Sequence, residues 1–398
     1  MVDFLDDVLP DECARIIWGH LQPQDLGAVM RVSPTWAMSA MPFFYRDVNL
    51  PNATAVAALL RTARQRPDIA ALVRHLRMNQ YVSSGPNRPQ PLAGPALDLL
   101  QSLPALQGLR LDGRWSGLDA LISNGRLCVP LTDLRKVSLG IGRQPMAHLL
   151  PFWNLPKIES IRACIASPDD ATQEQEEEEE EEPEPPITWP TAPTLVELDL
   201  NYTSLEEKSV TPLLRKTPAL KSFRYDRWCN VGGVLSLQDC EELGRGLLHL
   251  RPTLEHLDLR VQLFSEYAEQ VDELDIDPVQ GHLPSLRDFN QLRTLRIPIA
   301  TLLGWTPNEA PQIETLLPPS LQRLSLAEDL RIQCTYQWTE ELLLAELERF
   351  FVSLSRSQHK LEVVEIHPDR TWGGWQNETV NRVYRMAATA AVECIIVD

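Results

Sequence analysis

The chain repeats an apolar pattern, LxxLxL, from about residue 70 to its C-terminus, with Ile, Val, Phe, Tyr, Met or Ala in place of some leucines. The last two apolar positions of each copy are two residues apart, as on one face of a β-strand, and the first lies three residues earlier, where the chain turns into the strand. Successive copies begin 24 to 40 residues apart. The ten copies are Val73-Leu76-Met78, Leu106-Leu109-Leu111, Leu134-Val137-Leu139, Ile158-Ile161-Ala163, Leu195-Leu198-Leu200, Leu220-Phe223-Tyr225, Leu254-Leu257-Leu259, Leu292-Leu295-Ile297, Leu321-Leu324-Leu326 and Leu361-Val364-Ile366. Each copy predicts one short strand.

Several stretches between these strands carry apolar residues at helical spacing. In 236–251, Ser236 and Asp239 form a capping signal ahead of such residues, and 339–355 has a broad apolar face. The repeating unit is therefore strand, turn and helix. One such unit cannot bury its apolar face alone, so we expect the units to stack into a solenoid with the strands along its concave wall.

The first 46 residues follow a different pattern, which predicts three short helices. Leu9-Pro10-Asp11-Glu12 opens the first helix, Pro23 ends it, Asp25 caps the second helix and Ser33 caps the third. So small a unit buries too little apolar surface to be stable by itself. We therefore expect another surface to cover its apolar side.

Negative charge is concentrated in one segment. The chain of 398 residues has a formal net charge of −18, and 11 of its acidic residues lie between Asp169 and Glu184. This composition predicts a disordered insertion over 167–191, which is either a solvated loop or a tether for a basic partner. Nucleic acid is not an expected partner, because an acidic body offers no positive surface for the phosphate backbone.

Motifs for catalysis, metal binding and nucleotide binding are missing. The spacings HxxxH and HExxH, and GxSxG and Walker-type sequences, do not occur. We therefore expect a non-catalytic protein without a cofactor or a metal. The first residues are acidic, unlike a secretory signal, and no apolar run approaches the roughly 18 residues of a membrane span. This favours a cytoplasmic or nuclear protein with no membrane partner.

The N-terminal segment resembles an F-box. Order and spacing match at Leu9-Pro10-x-Glu12, Ile16, Leu21, Asp25-Leu26, Val29, Val32-Ser33-x-x-Trp36 and Tyr45. F-box proteins dock onto a Skp-type adaptor, which connects them to a cullin and a RING subunit. The resemblance implies that the adaptor-binding residues are Leu9, Pro10, Ile16, Ile17, Leu21, Leu26, Val29, Val32 and Trp36. For Val29 and Trp36, packing between the three helices alone is an equal alternative.

The repeated pattern resembles leucine-rich repeats over roughly residues 70–370. It departs from that family three residues after each final apolar position, where the family often has Asn or Cys and this chain has other residues, so we expect an irregular arc. Together the resemblances imply an α/β fold with a three-helix F-box (1–48), a helical linker (49–70) and an irregular leucine-rich-repeat solenoid (71–398) that carries the acidic insertion at 167–191. They imply a non-catalytic substrate receptor of an SCF-type ubiquitin ligase. The alternative is a scaffold that binds basic nuclear proteins through the acidic loop and the concave face.

The residue between the last two apolar positions of each copy should point out of the concave wall. These residues are Arg77, Arg110, Ser138, Arg162, Asp199, Arg224, Asp258, Arg296, Ser325 and Glu365. The arginines, Arg77, Arg110, Arg162, Arg224 and Arg296, are the candidate substrate-binding residues, and the first three form a basic strip without an acid. Such a strip suits an acidic or phosphorylated segment of a substrate. The alternative is that the chain's own glutamate run neutralises it.

Overall fold

A computed structural model of the protein describes residues 11–79, 93–112, 122–123, 126–127, 131–166, 188–230, 238–264, 279–330, 336–357, 359–368 and 375–397. The architecture is mixed α/β, and most of its strands are parallel. The chain divides into two compact units, Met1–Glu159 and Ser160–Asp398. Leu9, Pro10 and residues 167–187 of the acidic insertion lie outside the described residues.

The first unit begins with helices and continues into a parallel sheet. Strands β1, β2, β3 and β6 lie side by side in this order, and β4 and β5 form a short antiparallel pair. The strands are β1 (Asp47–Leu50), β2 (His75–Asn79), β3 (Gly108–Asp112), β4 (Ile122–Ser123), β5 (Arg126–Leu127) and β6 (Lys136–Pro145). The helices are α1 (Asp11–His20), α2 (Pro23–Val29), α3 (Pro34–Phe44), α4 (Ala53–Gln65), α5 (Pro67–Ala70), α6 (Ala93–Gln101), a 3₁₀ turn (Met146–Leu149) and α7 (Leu150–Trp153).

The three N-terminal helices occur as the sequence predicts, with one difference at α2. The hydroxyl of Ser33 accepts a hydrogen bond from the Trp36 N–H at 3.2 Å and caps α3. Helix α1 ends at His20, ahead of Pro23. The prediction that Asp25 caps α2 is wrong, because α2 begins at Pro23 with Gln22 at the N-cap position and Asp25 lies in its first turn. Proline suits a first turn, where its fixed φ fits and its missing N–H has no intrahelical partner.

The sequence-based linker over 49–70 contains α4 and α5, but a strand precedes them. The carbonyl of Arg46 accepts hydrogen bonds from the backbone N–H groups of Arg74 and His75, which aligns β1 with β2. Because this pairing is between segments distant in sequence, it is a tertiary contact that local helical spacing does not reveal.

The second unit alternates parallel strands with helices. The strand order is β7, β8, β9, β11, β13, β14, β15 and β16, all parallel, while β10 and β12 form a separate parallel pair. The strands are β7 (Ser160–Ala166), β8 (Glu197–Thr203), β9 (Ser222–Asn230), β10 (Gln238–Asp239), β11 (His256–Phe264), β12 (Val279–Gln280), β13 (Thr294–Pro298), β14 (Arg323–Ala327), β15 (Val363–His367) and β16 (Glu393–Ile396). The helices are α8 (Glu207–Leu214), α9 (Cys240–Leu247), a 3₁₀ turn (Leu248–Leu250), α10 (Ile299–Leu303), a 3₁₀ turn (Pro307–Glu309), α11 (Ile313–Leu316), α12 (Glu340–Arg356) and α13 (Asn377–Thr389).

The repeated apolar pattern forms the core of both units. The last two apolar positions of each copy lie on a strand and are buried, as Leu257 and Leu259 of β11 are at 1% and 0% exposure. The helix predicted over 339–355 is α12, whose N-cap Thr339 accepts from the Leu342 N–H and whose apolar face is buried. Trp189, placed by the sequence at the end of the disordered insertion, is buried instead. The large apolar surface of a tryptophan side chain is more stable when it packs against the core than when it is in water.

Within the part of the chain that the structure describes, none of the helices combines the length and hydrophobicity needed to cross a membrane.

Candidate functional site

The helices α1–α3 share a small apolar interior. Ala14 and Trp18 of α1, Leu26 of α2 and Ala40 of α3 are buried together. The indole N–H of Trp18 donates to the hydroxyl of Ser39 at 2.9 Å. The partly buried side chains around this interior are Leu21, Val29, Met30, Trp36, Phe43 and Phe44.

Other apolar side chains of α1, of α3 and of the turn between α2 and α3 are exposed. We call Ile16, Ile17, Val32 and Met38 the α1–α3 apolar surface, because they are 65%, 42%, 62% and 69% exposed. They are four of the nine large hydrophobic residues that are exposed in the described parts of the chain. Exposed apolar side chains concentrated in one small segment are candidates for contact with a partner.

The nine predicted adaptor-binding residues therefore fall into different environments. Ile16, Ile17 and Val32 lie on the α1–α3 apolar surface, whereas Leu26 is 3% exposed and belongs to the interior. Leu21, Val29 and Trp36 are partly buried against that interior, and Leu9 and Pro10 lie outside the described residues. Sequence reasoning missed Met38. The residues of α3 that face the interior, Trp36, Ala40 and Phe43, recur at helical spacing. Met38 is apolar but lies off that stripe, and this was the signal in the sequence that it is exposed.

A row of polar side chains crosses the sheet of the second unit. The residues predicted to point outward are in register from strand to strand: Arg162 pairs with Asp199, Asp199 with Arg224, Arg224 with Asp258, Asp258 with Arg296, Arg296 with Ser325 and Ser325 with Glu365. We call these seven residues the charged row. They line an open cavity of about 350 Å³.

The corresponding residues of the first unit form a shorter row across β1, β2, β3 and β6. Asn49, Arg77, Arg110 and Ser138 are neighbours in register. Both arginines donate to the carboxylate of Asp112, at 2.5 Å from Arg77 and 2.8 Å from Arg110. One carboxylate therefore serves two guanidinium groups, and the group of three keeps one positive charge.

Each arginine of the basic strip expected from the sequence thus has an acidic partner on a strand, although two of them share one carboxylate. Arg77 and Arg110 pair with Asp112, and Arg162 pairs with Asp199 at 2.6 Å. Asp112 was missed because only the residue between the last two apolar positions was considered. The next position on the same face of the strand, two residues further along the chain, is Asp112. The same step on other strands identifies Asp226, Arg260 and His367.

Burial alters the acid–base properties of the groups near the charged row. Burial raises the pKa of Asp226 and lowers the pKa of His367, and the nearby Arg296 lowers the latter further. Burial and the neighbouring Arg260 lower the pKa of Arg296. The pKa of Asp329 is raised to about 6 by burial, although Arg296 and Arg260 act in the opposite direction. Several charged groups here are therefore incompletely compensated.

We expect Asp329→Asn to stabilise the protein at neutral pH. Because the pKa of Asp329 is about 6 in the folded state against an ordinary value of 3.8, the folded state binds this proton more tightly than the unfolded state. The ionised group therefore costs stability, by about 1–3 kcal/mol above pH 6, and the cost disappears as the pH falls towards 4. Urea unfolding of both proteins between about pH 4 and pH 7 measures this difference. An equal difference at every pH would contradict it.

No protein-family model matches the chain, and no curated protein matches it at a significant level.

Proposed function

We propose that this protein is the substrate-recognition subunit of an SCF-type ubiquitin ligase. In this proposal the helices α1–α3 are an F-box that docks onto a Skp-type adaptor, and through it onto a cullin and a RING subunit. The strand and helix repeats are an irregular leucine-rich-repeat solenoid, which binds the protein to be ubiquitinated. The chain itself has no catalytic role.

The observation that carries the proposal is the α1–α3 apolar surface. Three of its four members, Ile16, Ile17 and Val32, are residues that the F-box resemblance assigns to the adaptor. Keeping these side chains in water is less favourable than burying them, by roughly 25 cal/mol per Å² of apolar surface. A partner that covers them recovers this free energy.

The division of α1–α3 into an interior and an exposed surface also supports docking. Trp18, Leu26 and Ala40 already satisfy the packing of the helices on one another, so the exposed isoleucines are not needed for it. The charged row and its cavity belong to the second unit, so they share no residue with the α1–α3 apolar surface.

The experiment is capture of a purified recombinant Skp-type adaptor by the full chain. We expect wild type to bind it, and Ile16→Asp/Val32→Asp to bind more weakly by at least about thirtyfold, because the loss of even one apolar anchor of an interface costs about 2 kcal/mol. Both side chains are mostly exposed, so the variant should fold normally. Isothermal titration calorimetry gives the two affinities.

The matched control is Leu342→Asp/Val352→Asp on α12. These residues are 44% and 40% exposed and receive the same change of an aliphatic side chain to a carboxylate. Adaptor affinity should equal that of wild type. If wild type does not bind the adaptor, or if both double variants lose binding equally, the proposal is wrong.

A further inference from the structure

The charged row alternates in sign over its first five positions. From β7 to β13 the residues are Arg162, Asp199, Arg224, Asp258 and Arg296. Neighbouring strands lie about 4.8 Å apart, so arginines of the row recur about every 9.6 Å. The cavity thus presents positive groups at a regular spacing, with a carboxylate between them.

The carboxylates of the row already have strong partners. Asp199 accepts from Arg162 at 2.6 Å, and Glu365 accepts from Arg323 at 2.5 Å. Asp258 is held by Arg260 through two hydrogen bonds, of 3.0 and 2.9 Å. Hydrogen bonds between a guanidinium and a carboxylate are among the strongest in proteins, so these acids have little need of a further cation.

Two arginines of the row, Arg224 and Arg296, lack such hydrogen bonds. Arg224 lies 3.6 to 3.9 Å from Asp199, Asp226 and Asp258, and Arg296 lies 3.7 Å from Asp258, distances too long for hydrogen bonds. Among the described residues, neither guanidinium makes a side-chain hydrogen bond, and the buried Nε atoms of both lack a partner. Their side chains are nonetheless 30% and 24% exposed, so the terminal nitrogens can reach a ligand.

Ser325 adds a third unsatisfied group beside them. It pairs in register with Arg296, is 3% exposed, and its hydroxyl has no hydrogen-bond partner in the described part of the chain. Arg224, Arg296 and Ser325 all line the same cavity. The unpartnered Nε atoms and the Ser325 hydroxyl are buried, so a ligand in the cavity meets the terminal nitrogens of the two arginines. These cationic donors suit a ligand that is rich in anionic oxygen atoms.

We propose that this cavity binds an extended acidic peptide with two anionic side chains three residues apart, one at Arg224 and one at Arg296. Three residues of a polyproline II segment span about 9.3 Å, close to the separation of two strands. The anionic groups are carboxylates or phosphates, which a guanidinium recognises through the same paired N–H donors.

The carboxylates of the row determine the class of ligand. A nucleic acid strand carries a phosphate about every 3.4 Å along its axis, so it would also place phosphates over Asp199 and Asp258, which repel them. A peptide can place neutral or basic residues there. The inference rests on the proposed function only in that the peptide belongs to the protein to be ubiquitinated.

The test measures peptide binding to the full chain by fluorescence anisotropy. The labelled peptides carry two phosphoserines three residues apart, two glutamates three residues apart, two phosphoserines on adjacent residues, or no acidic residue. We expect the two peptides with the three-residue spacing to bind, and the relative affinities of phosphoserine and glutamate show which anion is preferred. The other two should bind at least about tenfold more weakly, since they engage one arginine or none.

The variant is Arg224→Gln/Arg296→Gln, which removes both charges and leaves Asp258 bonded to Arg260. Loss of two charge-assisted hydrogen bonds should weaken binding by about a hundredfold. The matched control is Arg251→Gln/Arg287→Gln, which removes two exposed charges of the same unit that do not line the cavity. It should bind as wild type does, apart from a small effect that salt removes.

Several results would overturn the inference: no binding of either spaced peptide, equal affinity for adjacent and spaced phosphoserines, or equal losses in the two double variants. Tighter binding of a single-stranded oligonucleotide, lost in Arg224→Gln/Arg296→Gln, would assign the cavity to nucleic acid instead. Adaptor affinity is measured on the same proteins. Peptide binding without adaptor binding would disprove the ligase role and leave the peptide site supported. Adaptor binding without peptide binding would disprove the peptide site and leave the ligase role supported.

Discussion

Glu207→Ala is expected to destabilise the second unit by about 3–5 kcal/mol, because it removes the carboxylate that pairs with a buried positive charge. Arg227 is 1% exposed and donates to the carboxylate of Glu207, which is buried as well. The same carboxylate accepts from the hydroxyl of Tyr225 at 3.2 Å and from the backbone N–H of Asp239 at 3.2 Å. One side chain thus connects β9, α8 and the start of α9. Its removal takes an acceptor away from the Arg227 guanidinium and from the Asp239 N–H, while the Tyr225 hydroxyl keeps its hydrogen bond to the Leu205 carbonyl at 2.5 Å.

Native-state hydrogen exchange of residues 222–230 measures this loss, because their protection reports the opening of β9. Glu348→Ala is the matched control. Its carboxylate pairs with Arg382 on the surface, where the side chains are 53% and 49% exposed, and the loss should stay below about 1 kcal/mol.

The double variant Glu207→Leu/Arg227→Met tests the physical reason. It removes both charges, so it should be more stable than Glu207→Ala. If Glu207→Ala is no less stable than Glu348→Ala, the buried pair does not stabilise the unit.

Trp18→Ala is expected to unfold α1–α3 locally. Truncation of a buried tryptophan costs about 3–5 kcal/mol, and a core of this size rarely supplies more than that. Trp18 is 4% exposed, contacts Trp36 at a ring-centroid distance of 5.2 Å and bonds to Ser39. Its loss removes most of the apolar interior of the three helices.

Hydrogen exchange in residues 11–44 measures the unfolding, and exchange in the second unit should not change. Ile16→Ala is the control in the same helix, and because Ile16 is 65% exposed its effect should lie within about 0.5 kcal/mol. Normal protection of α1–α3 in Trp18→Ala would show that the helices are held by other contacts. The comparison also separates two causes of lost adaptor binding, an unfolded segment in Trp18→Ala and an altered surface in Ile16→Asp/Val32→Asp.

Much of the architecture follows from local sequence patterns. Period-two spacing places Leu257 and Leu259 on the buried side of β11 and Asp258 on the open side, and helical spacing identifies α12. These predictions succeed because side-chain direction in a strand or helix depends only on the backbone period. The prediction that Ser33 caps α3 is confirmed for a similar reason, since a cap involves residues only three positions apart.

The functional surfaces could be predicted from the sequence only in part. The sequence identifies Ile16 and Val32 as candidate contacts, but it does not separate them from Leu26, which has the same apolar character and lies inside. It places Arg77, Arg110 and Arg162 on an open face, but not the pairing of the first two with Asp112. Which arginines remain without a hydrogen bond depends on distances across strands.

The sequence by itself therefore determined the strand and helix pattern, the inward and outward sides of each strand, and the position of the acidic segment, because all three depend on near neighbours in the chain. Only the tertiary structure decided that Arg224 and Arg296 are the arginines of the charged row without a hydrogen bond to a described side chain and that Glu207 is buried against Arg227. The physical reason is that hydrogen bonding and desolvation of a charge are set by groups from other strands and helices, which the fold brings together from distant parts of the chain.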